Sequence, residues 1–400
     1  MIIMTLKRTV FVVAACMCAS MIVATLIPQP FKCAGTGNIY VVNNGDGTVS
    51  VMDTDTGNVS FITVGNNPIG VAISPDGSFV YVTNTGSNSV SVINTTTGIA
   101  SNTITVGSRP SVVAISPNGT FVYVANYGDG TVSVITTATG TVTDNITVGF
   151  NGPNGVAISP DGSFVYVANH GDGTVSVIDT ATKTVNATIT VGNNASGVAI
   201  SPDGRFVYVG NYGDGTVSVI TTATGTVNAN ITVGSYPYGV AISPDGSFVY
   251  VTNSGDDPGT VSVIDTATKT VNATIQVGFE PSGVAISPDG RFVYVANTGS
   301  NSVSVIDTAT KIVSPTRITV GIFPRGVAVC PGPTPAPAPA PDTGDSGTPD
   351  VYDSSNFTTM TWILVGLLIG VPLVIVGVWY KMSHRYTQVP TDEAAYTRGF

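Results

Sequence analysis

Histidine is nearly missing from this 400-residue sequence: His170 and His384 are its only two. A metal site built from histidines is therefore excluded, and no nucleophile–base pair is visible. Charge is scarce too. Asp, Glu, Lys and Arg make up 10% of the chain, and the formal net charge is −10. The usual charged share is about a quarter. An acidic chain lacks the basic footprint that nucleic acid needs, so no nucleic-acid partner is expected. No metal or other cofactor is expected either. Tryptophan occurs twice, at Trp362 and Trp379, and cysteine four times, at Cys16, Cys18, Cys33 and Cys330.

Repetition is what the chain has in abundance. The stretch from Gly155 to Gly192, GVAISPDGSFVYVANHGDGTVSVIDTATKTVNATITVG, recurs from Asn38 to Cys330. Its Tyr-Val-x-Asn core begins at Tyr40, Tyr81, Tyr123, Tyr166, Tyr208, Tyr250 and Tyr294, about 42 residues apart. Each copy holds four short runs rich in Val, Ile, Thr and Tyr, split by Gly, Asp, Asn and Pro, which is strand–turn chemistry. In the reference copy the predicted strands are Gly155–Ser159, Phe164–Asn169, Thr174–Asp179 and about Thr184 to Val191. Phe164, Tyr166 and Ala168 point to one side of the second strand, Val165 and Val167 to the other. Both faces are apolar, so both must be covered. A four-stranded sheet sandwiched between copies of itself is a propeller blade. The competing solenoid needs polar capping repeats, and neither end of this array resembles one. The predicted fold is therefore all-β, a seven-bladed propeller with four-stranded blades, plus an N-terminal signal helix and one C-terminal transmembrane helix.

The first copy starts at the second strand, and the last segment, Gly326–Val329, is a lone first strand. The two fragments complete one blade, with 326–330 pairing into 39–64. Cys33 and Cys330 occupy the same repeat position at this only cut in the circle. In an oxidising compartment a disulfide between them is predicted. It would close a loop of nearly 300 residues. In the chain-entropy model that stabilises by roughly 5 kcal/mol. Two unpaired buried thiols are the alternative.

The Tyr-Val-x-Asn cores, notably Tyr81-Val82-Thr83-Asn84 and Tyr250-Val251-Thr252-Asn253, resemble the YVTN-type β-propeller repeat. That family includes seven-bladed propellers of archaeal surface-layer proteins. The resemblance covers Asn38–Cys330; it implies the seven-bladed fold and a cell-surface setting, and brings no catalytic residues.

Beyond the propeller (33–330) the expected layout is a signal peptide or uncleaved anchor at 1–27, carrying Lys7 and Arg8 ahead of an apolar run. A proline-rich stalk follows the propeller at 331–357. The stretch 358–380 reads as a membrane helix, with Trp362 and Trp379 at its ends and 21 uncharged residues from Met360 to Tyr380. Lys381, His384 and Arg385 place the tail, 381–400, in the cytoplasm and the propeller outside. Gly366 and Gly370 form a weak helix-contact motif. Tyr386-Thr387-Gln388-Val389 resembles a sorting signal.

One rim of such a propeller is nearly constant between copies. The other varies and carries Arg109, Tyr127, Phe150, His170, Tyr212, Tyr236, Tyr238, Phe279, Glu280, Phe323 and Arg325. Aromatics and arginine make binding hot spots, so this rim is the predicted site for a protein or glycan ligand; turns that merely pack on each other are the bland reading. His170 is expected to be a solvated loop residue. The Gly-Asp-Gly turns at Asp46, Asp129, Asp172 and Asp214 lack EF-hand spacing and read as plain turns. Glycosylation sequons stand at Asn58, Asn94, Asn118, Asn145, Asn186, Asn194, Asn230, Asn272 and Asn356. Asn145, Asn186, Asn230 and Asn272 are predicted to share one face of the outermost strand. The function expected from all this is a non-enzymatic binding, adhesion or surface-coat glycoprotein, single-pass type I in its membrane. A receptor with a sorted tail, or a propeller enzyme of lactonase or lyase type, are the alternatives.

Overall fold

The computed structural model describes residues 37–331 apart from 55, 150 and 151. The expected signal segment, membrane helix and cytoplasmic tail lie outside these residues, as does the stalk beyond Pro331. Among the described residues no helix is long and apolar enough to cross a membrane.

Seven four-stranded antiparallel sheets form the blades. The reference blade consists of Pro153–Ile158, Phe164–Asn169, Thr174–Asp179 and Thr184–Thr190, hydrogen-bonded in that order. Its second and third strands match the predicted limits. Its first begins two residues early, because Pro153 already pairs with Asn169. In the last blade the outer strand is broken into Ile312–Val313 and Ile318–Thr319. Pro315 falls in the gap and has no N–H to offer the ladder.

The two apolar faces are used as the alternation requires. Tyr123, Ala125, Val132 and Val134 of the third blade pack against Val156, Val165, Val167 and Ile178 of the fourth. The same layer recurs between every neighbouring pair. One of these layers spans the cut: Tyr294, Ala296 and Val303 meet Ile39, Val41 and Met52. The ring is thus closed rather than stacked. At the cut, Pro324–Val329 pairs with Asn38–Asn43, Tyr40 opposite Ala328. Cys330 is buried beside Tyr40, and its N–H donates to the Asn38 carbonyl at 3.0 Å. Cys33 lies outside the described residues. Burial pushes the Tyr40 hydroxyl up to about 12.

Near the axis the first strands touch backbone to backbone. A side chain at Gly155 would meet the Ser196 carbonyl at 2.1 Å, and one at Gly326 the Ile69 carbonyl at 2.6 Å. Only glycine permits that approach.

The buried Asn that ends each Tyr-Val-x-Asn core ties the blade together. Asn126 Nδ2 donates to Thr131 Oγ1 at 3.0 Å and to Ser133 Oγ at 2.8 Å. In Asn84, Asn211 and Asn297 the side-chain oxygen also accepts a backbone N–H from Gly65, Gly192 or Gly278. In Asn43, Asn126, Asn169 and Asn253 it has no such partner.

The constant rim is a row of small hydrogen-bonded turns. In the reference blade the Ser159 hydroxyl donates to Asp161 and accepts the Phe164 N–H. Bonds from Ser159 and from the Ser163 N–H hold the Asp161 carboxyl below its usual range. Lys183, Lys269 and Lys311 then clasp neighbouring blades, lying over Phe121, Phe206 and Phe248 of the blade before. Gly140 stands at the equivalent turn between the second and third blades, and a groove of about 540 Å3 opens there beside Phe79 and Asn102.

Deleting a fully engaged asparagine should cost more than deleting a half-engaged one. Asn84→Ala is expected to lose about 2–3 kcal/mol and Asn126→Ala about 1–2 kcal/mol, read as urea midpoints at unchanged m. Equal losses would mean that the glycine N–H contact contributes nothing.

Candidate functional site

The variable rim is where the second–third turns meet the blade-to-blade turns. Thr85 and Gly86 donate their N–H groups to Asn67 and Asn66, and Gly45 donates to Ile322 across the cut. The Gly-Asp-Gly carboxylates serve this junction. Asp46 accepts the Ile322 N–H at 2.6 Å, Asp214 the Asn193 N–H at 2.7 Å, and Asp129 the Ser108 N–H. These are turn-bracing bonds. Among the described residues no cluster of three or more His, Cys, Asp or Glu could hold a metal ion.

The rim residues picked from sequence that lie within the described part separate into three groups. Five form one file across consecutive blades. The Arg109 guanidinium lies 5.1 Å from the Tyr127 ring centre. Tyr127 is tilted against His170 at 6.3 Å, His170 against Tyr212 at 6.2 Å, and Tyr212 stacks on Tyr236 at 4.8 Å with 16° between planes. His170 is thus not a solvated loop residue. It is half-buried between two tyrosines, and the Asn194 amide faces its Nδ1 at 3.3 Å. With its NH2 turned to the ring, the amide donates to Nδ1, a contact that suits the neutral imidazole. Burial lowers its pKa from 6.5. Phe279, Glu280 and Phe323 are exposed in the turns of the following blades and join no ring contact with this file. Phe150 lies outside the described residues.

Tyr238 and Arg325 do not belong to the rim turns. They are the second residues of first strands, facing the axial channel. The seven equivalents are Ile69, Ser111, Asn154, Ser196, Tyr238, Ser282 and Arg325. The three serines turn away and donate to carbonyls, Ser111 to Pro153 at 3.0 Å and Ser196 to Pro237 at 2.8 Å. Ile69, Asn154, Tyr238 and Arg325 line a cavity of about 150 Å3 at the channel mouth. Burial pushes the Tyr238 hydroxyl up; nearby Arg325 and a hydrogen bond with the Asn154 side chain act the other way. Tyr127 and Tyr212 also push it up, which puts these two members of the file near the mouth. Asn154 was not picked from sequence. Lining up the seven copies at this position would have exposed it, as one of four departures from serine.

The blade-to-blade turns store strain unevenly. One position in each is left-handed: Asn67, Arg109, Gly152, Asn194, Tyr236, Glu280 and Phe323, with φ between 49 and 69°. Asn and Gly adopt that conformation readily. For Arg, Tyr, Glu and Phe it costs about 1 kcal/mol or more each. Tyr236 and Phe323 are 50% and 51% exposed, so burial offsets little of that cost.

Among the sequons, the outer-strand parity does not hold. A bulge intervenes: Asn145 and Asn230 sit opposite Ser133 and Ser218 and accept their hydroxyl protons at 2.7 Å. Asn186 and Asn272 fall in the bulge itself, skipped by the ladder. An extra residue reverses side-chain alternation, so the four do not share a face. Asn58 and Asn118 are exposed, Asn94 and Asn194 half-buried, and Asn356 lies outside the described residues.

Comparison with known proteins sets this site in context. Three family models match overlapping parts of the chain: "Lactonase, 7-bladed beta-propeller" over 51–155, "Cytochrome D1 heme domain" over 128–238, and "YNCE-like beta-propeller" over 193–325. A hydrazine synthase chain from Kuenenia stuttgartiensis is 29% identical with a TM-score of 0.64, covering 71% of this chain and 97% of its own. Two 6-phosphogluconolactonase candidates are similar in fold. That from Bacteroides uniformis is 20% identical (TM-score 0.63, 73% and 99% covered), and that from Bacteroides fragilis 21% (TM-score 0.62, 73% and 98% covered). No curated protein matches the sequence. These findings overturn the expectation of a non-enzymatic adhesion or coat protein: residues 51–155 match a lactonase propeller model, and the 6-phosphogluconolactonase candidates share the fold. A haem does not fit. The mouth cavity of about 150 Å3 is too small for a porphyrin, and His170 faces two tyrosines and an amide instead of the channel.

His170 should titrate below 6.5 in the folded protein. Its lowered pKa means that stability present above pH 6.5 is lost as pH falls through the folded value. Comparing wild type with His170→Gln by thermal melts at about pH 7.5 and about pH 5 should show a smaller acid-induced drop in the variant. An NMR midpoint at or above 6.5 would show that the ring is solvated.

Proposed function

We propose that this chain is a lactonase-type hydrolase acting at the channel mouth. The observation that carries the reading is the convergence of Tyr238, Asn154 and Arg325 on one small cavity whose remaining walls are glycine and aliphatic side chains. Such a pocket, apolar with a few converging polar groups, is the usual form of a small-molecule site. The match of residues 51–155 to the lactonase model supports the same class.

In this reading water attacks the acyl carbon of a cyclic ester. The acyl carbon–ring oxygen bond breaks, the departing ring oxygen takes a proton from solvent to become a hydroxyl, and the new carboxylic acid releases its proton to solvent. The residues at the mouth are suited to the oxyanion of that addition. Burial keeps the Tyr238 hydroxyl protonated, so it donates to the developing charge, and the Asn154 side chain orients it. Arg325 supplies the fixed positive charge. Donors set in advance in a water-poor cleft stabilise such charge far better than solvent does. No carboxylate or histidine lines this cavity, so the attacking water gives its proton to solvent.

We also place the propeller outside a membrane, between a leader at 1–27 and a stalk and span at 331–380. The net charge of −10 and the sequons are compatible with such a setting. The Cys33–Cys330 bond belongs to the same proposal. Cys330 is already fixed against Asn38, five residues after Cys33.

Two measurements test these readings. The full chain in detergent is incubated with δ-gluconolactone, 6-phosphogluconolactone and γ-butyrolactone, and acid release is followed by indicator dye. Arg325→Ala and Tyr238→Phe should each lower kcat/KM by about 10²-fold or more; no turnover of any lactone by the wild type would sink the assignment. Non-reducing peptide mapping should recover a peptide pair joining Cys33 to Cys330. Full alkylation of both thiols in unreduced, unfolded protein would exclude that bond.

A further inference from the structure

The mouth cavity, about 150 Å3, is smaller than the roughly 300–1,000 Å3 of ordinary ligand sites. Only the reacting end of a substrate enters it. Anything attached to that end must lie on the rim, and what waits there is the ring file.

Two features mark the file as more than turn packing. It is bounded at both ends by residues in left-handed backbone, Arg109 at φ 51° and Tyr236 at φ 53°. The same position is filled without strain by Asn67, Gly152 and Asn194 in other turns, and with the same strain by Glu280 and Phe323 outside the file. A half-exposed tyrosine held there against its preference points to a demand other than folding. The rings also follow one another blade by blade, at 6.3, 6.2 and 4.8 Å. Exposed Asn193, half-buried Asn194 beside His170, and Asn154 at the inner end place amides along the same path.

We infer that the file Arg109–Tyr127–His170–Tyr212–Tyr236 is a subsite for a neutral saccharide chain attached to the substrate's reacting end, an inference that rests on the hydrolase reading for its link to turnover. Ring faces take the apolar C–H faces of pyranoses, and the amides take their hydroxyls. A net charge of −10 disfavours anionic polymers.

The test is calorimetric titration of the full chain in detergent with cellohexaose, maltohexaose and chitohexaose, none of which contains a lactone. A random dodecapeptide pool is the contrast. At least one hexasaccharide should bind, and Tyr212→Ala should weaken it about tenfold or more. Tyr236→Asn should weaken binding similarly while Tm stays level or rises by about a degree or two, a combination that a merely structural tyrosine could not produce. Binding of none of the three sugars, binding of the peptide pool instead, or a Tm that falls in step with binding in Tyr236→Asn would each overturn the subsite. Hexasaccharide binding without any lactone turnover would sink the hydrolase reading and leave the subsite standing. Turnover without hexasaccharide binding would do the reverse.

Discussion

A buried asparagine amide at the end of each second strand holds this molecule in register. Its two protons are taken by hydroxyls of the third strand, as with Asn169 to Thr174 and Ser176. Where its oxygen is also used, it reaches the turn that arrives from the preceding blade. One side chain therefore ties the hairpin that faces the variable rim to the connection that passes it. A hydrogen-bonded polar group in a dry interior is costly to misplace, so each hairpin is fixed in register, and where the oxygen is engaged the blade is also held against its neighbour. That constraint frees the turns above it. With their bases pinned, their tips carry tyrosine, arginine, phenylalanine or asparagine without disturbing the sheets.

The two rims divide the labour accordingly. On the constant rim, Ser-Pro-Asp-Gly turns and three lysine–phenylalanine clasps do repetitive structural duty, and a groove opens beside Gly140, one of four turns that carry glycine in place of the lysine. On the other rim the axial glycines draw first strands so close that the channel mouth narrows to a small cavity. What reaches into it is decided by one residue per blade. Serine at that position turns outward to bond a neighbouring carbonyl. Asn154, Tyr238 and Arg325 remain facing the axis and line that cavity.

Much of this was legible in the residues. Strand positions followed from alternation and turn chemistry, and the complementary fragments at the two ends of the array foretold the closed ring. The errors have physical causes. Parity counting failed on the outer strand because an inserted bulge residue reverses the alternation beyond it, separating Asn145 from Asn186. His170 read as solvated because, although Tyr127 and Tyr212 fill the same repeat position 43 and 42 residues away, the sequence does not show that equivalent turns of successive blades touch. Tyr238 and Arg325 were grouped with the rim because the first strand was started at its glycine. The functional expectation went wrong for a related reason: without Asn154 placed beside them, no chemistry-bearing constellation was visible.

The linear order of residues determined what each repeat must become. Period-two alternation with both faces apolar, broken by Gly and Pro at fixed intervals, admits only a sheet buried on both sides, and local sterics suffice to enforce it. Which residues meet across blades was decided by closure of the circle. Tyr127, His170, Tyr212 and Tyr236 become neighbours, and Asn154, Tyr238 and Arg325 face one another, only because seven rigid wedges share an axis. That convergence is a property of the angle between blades, and no short stretch of chain contains it.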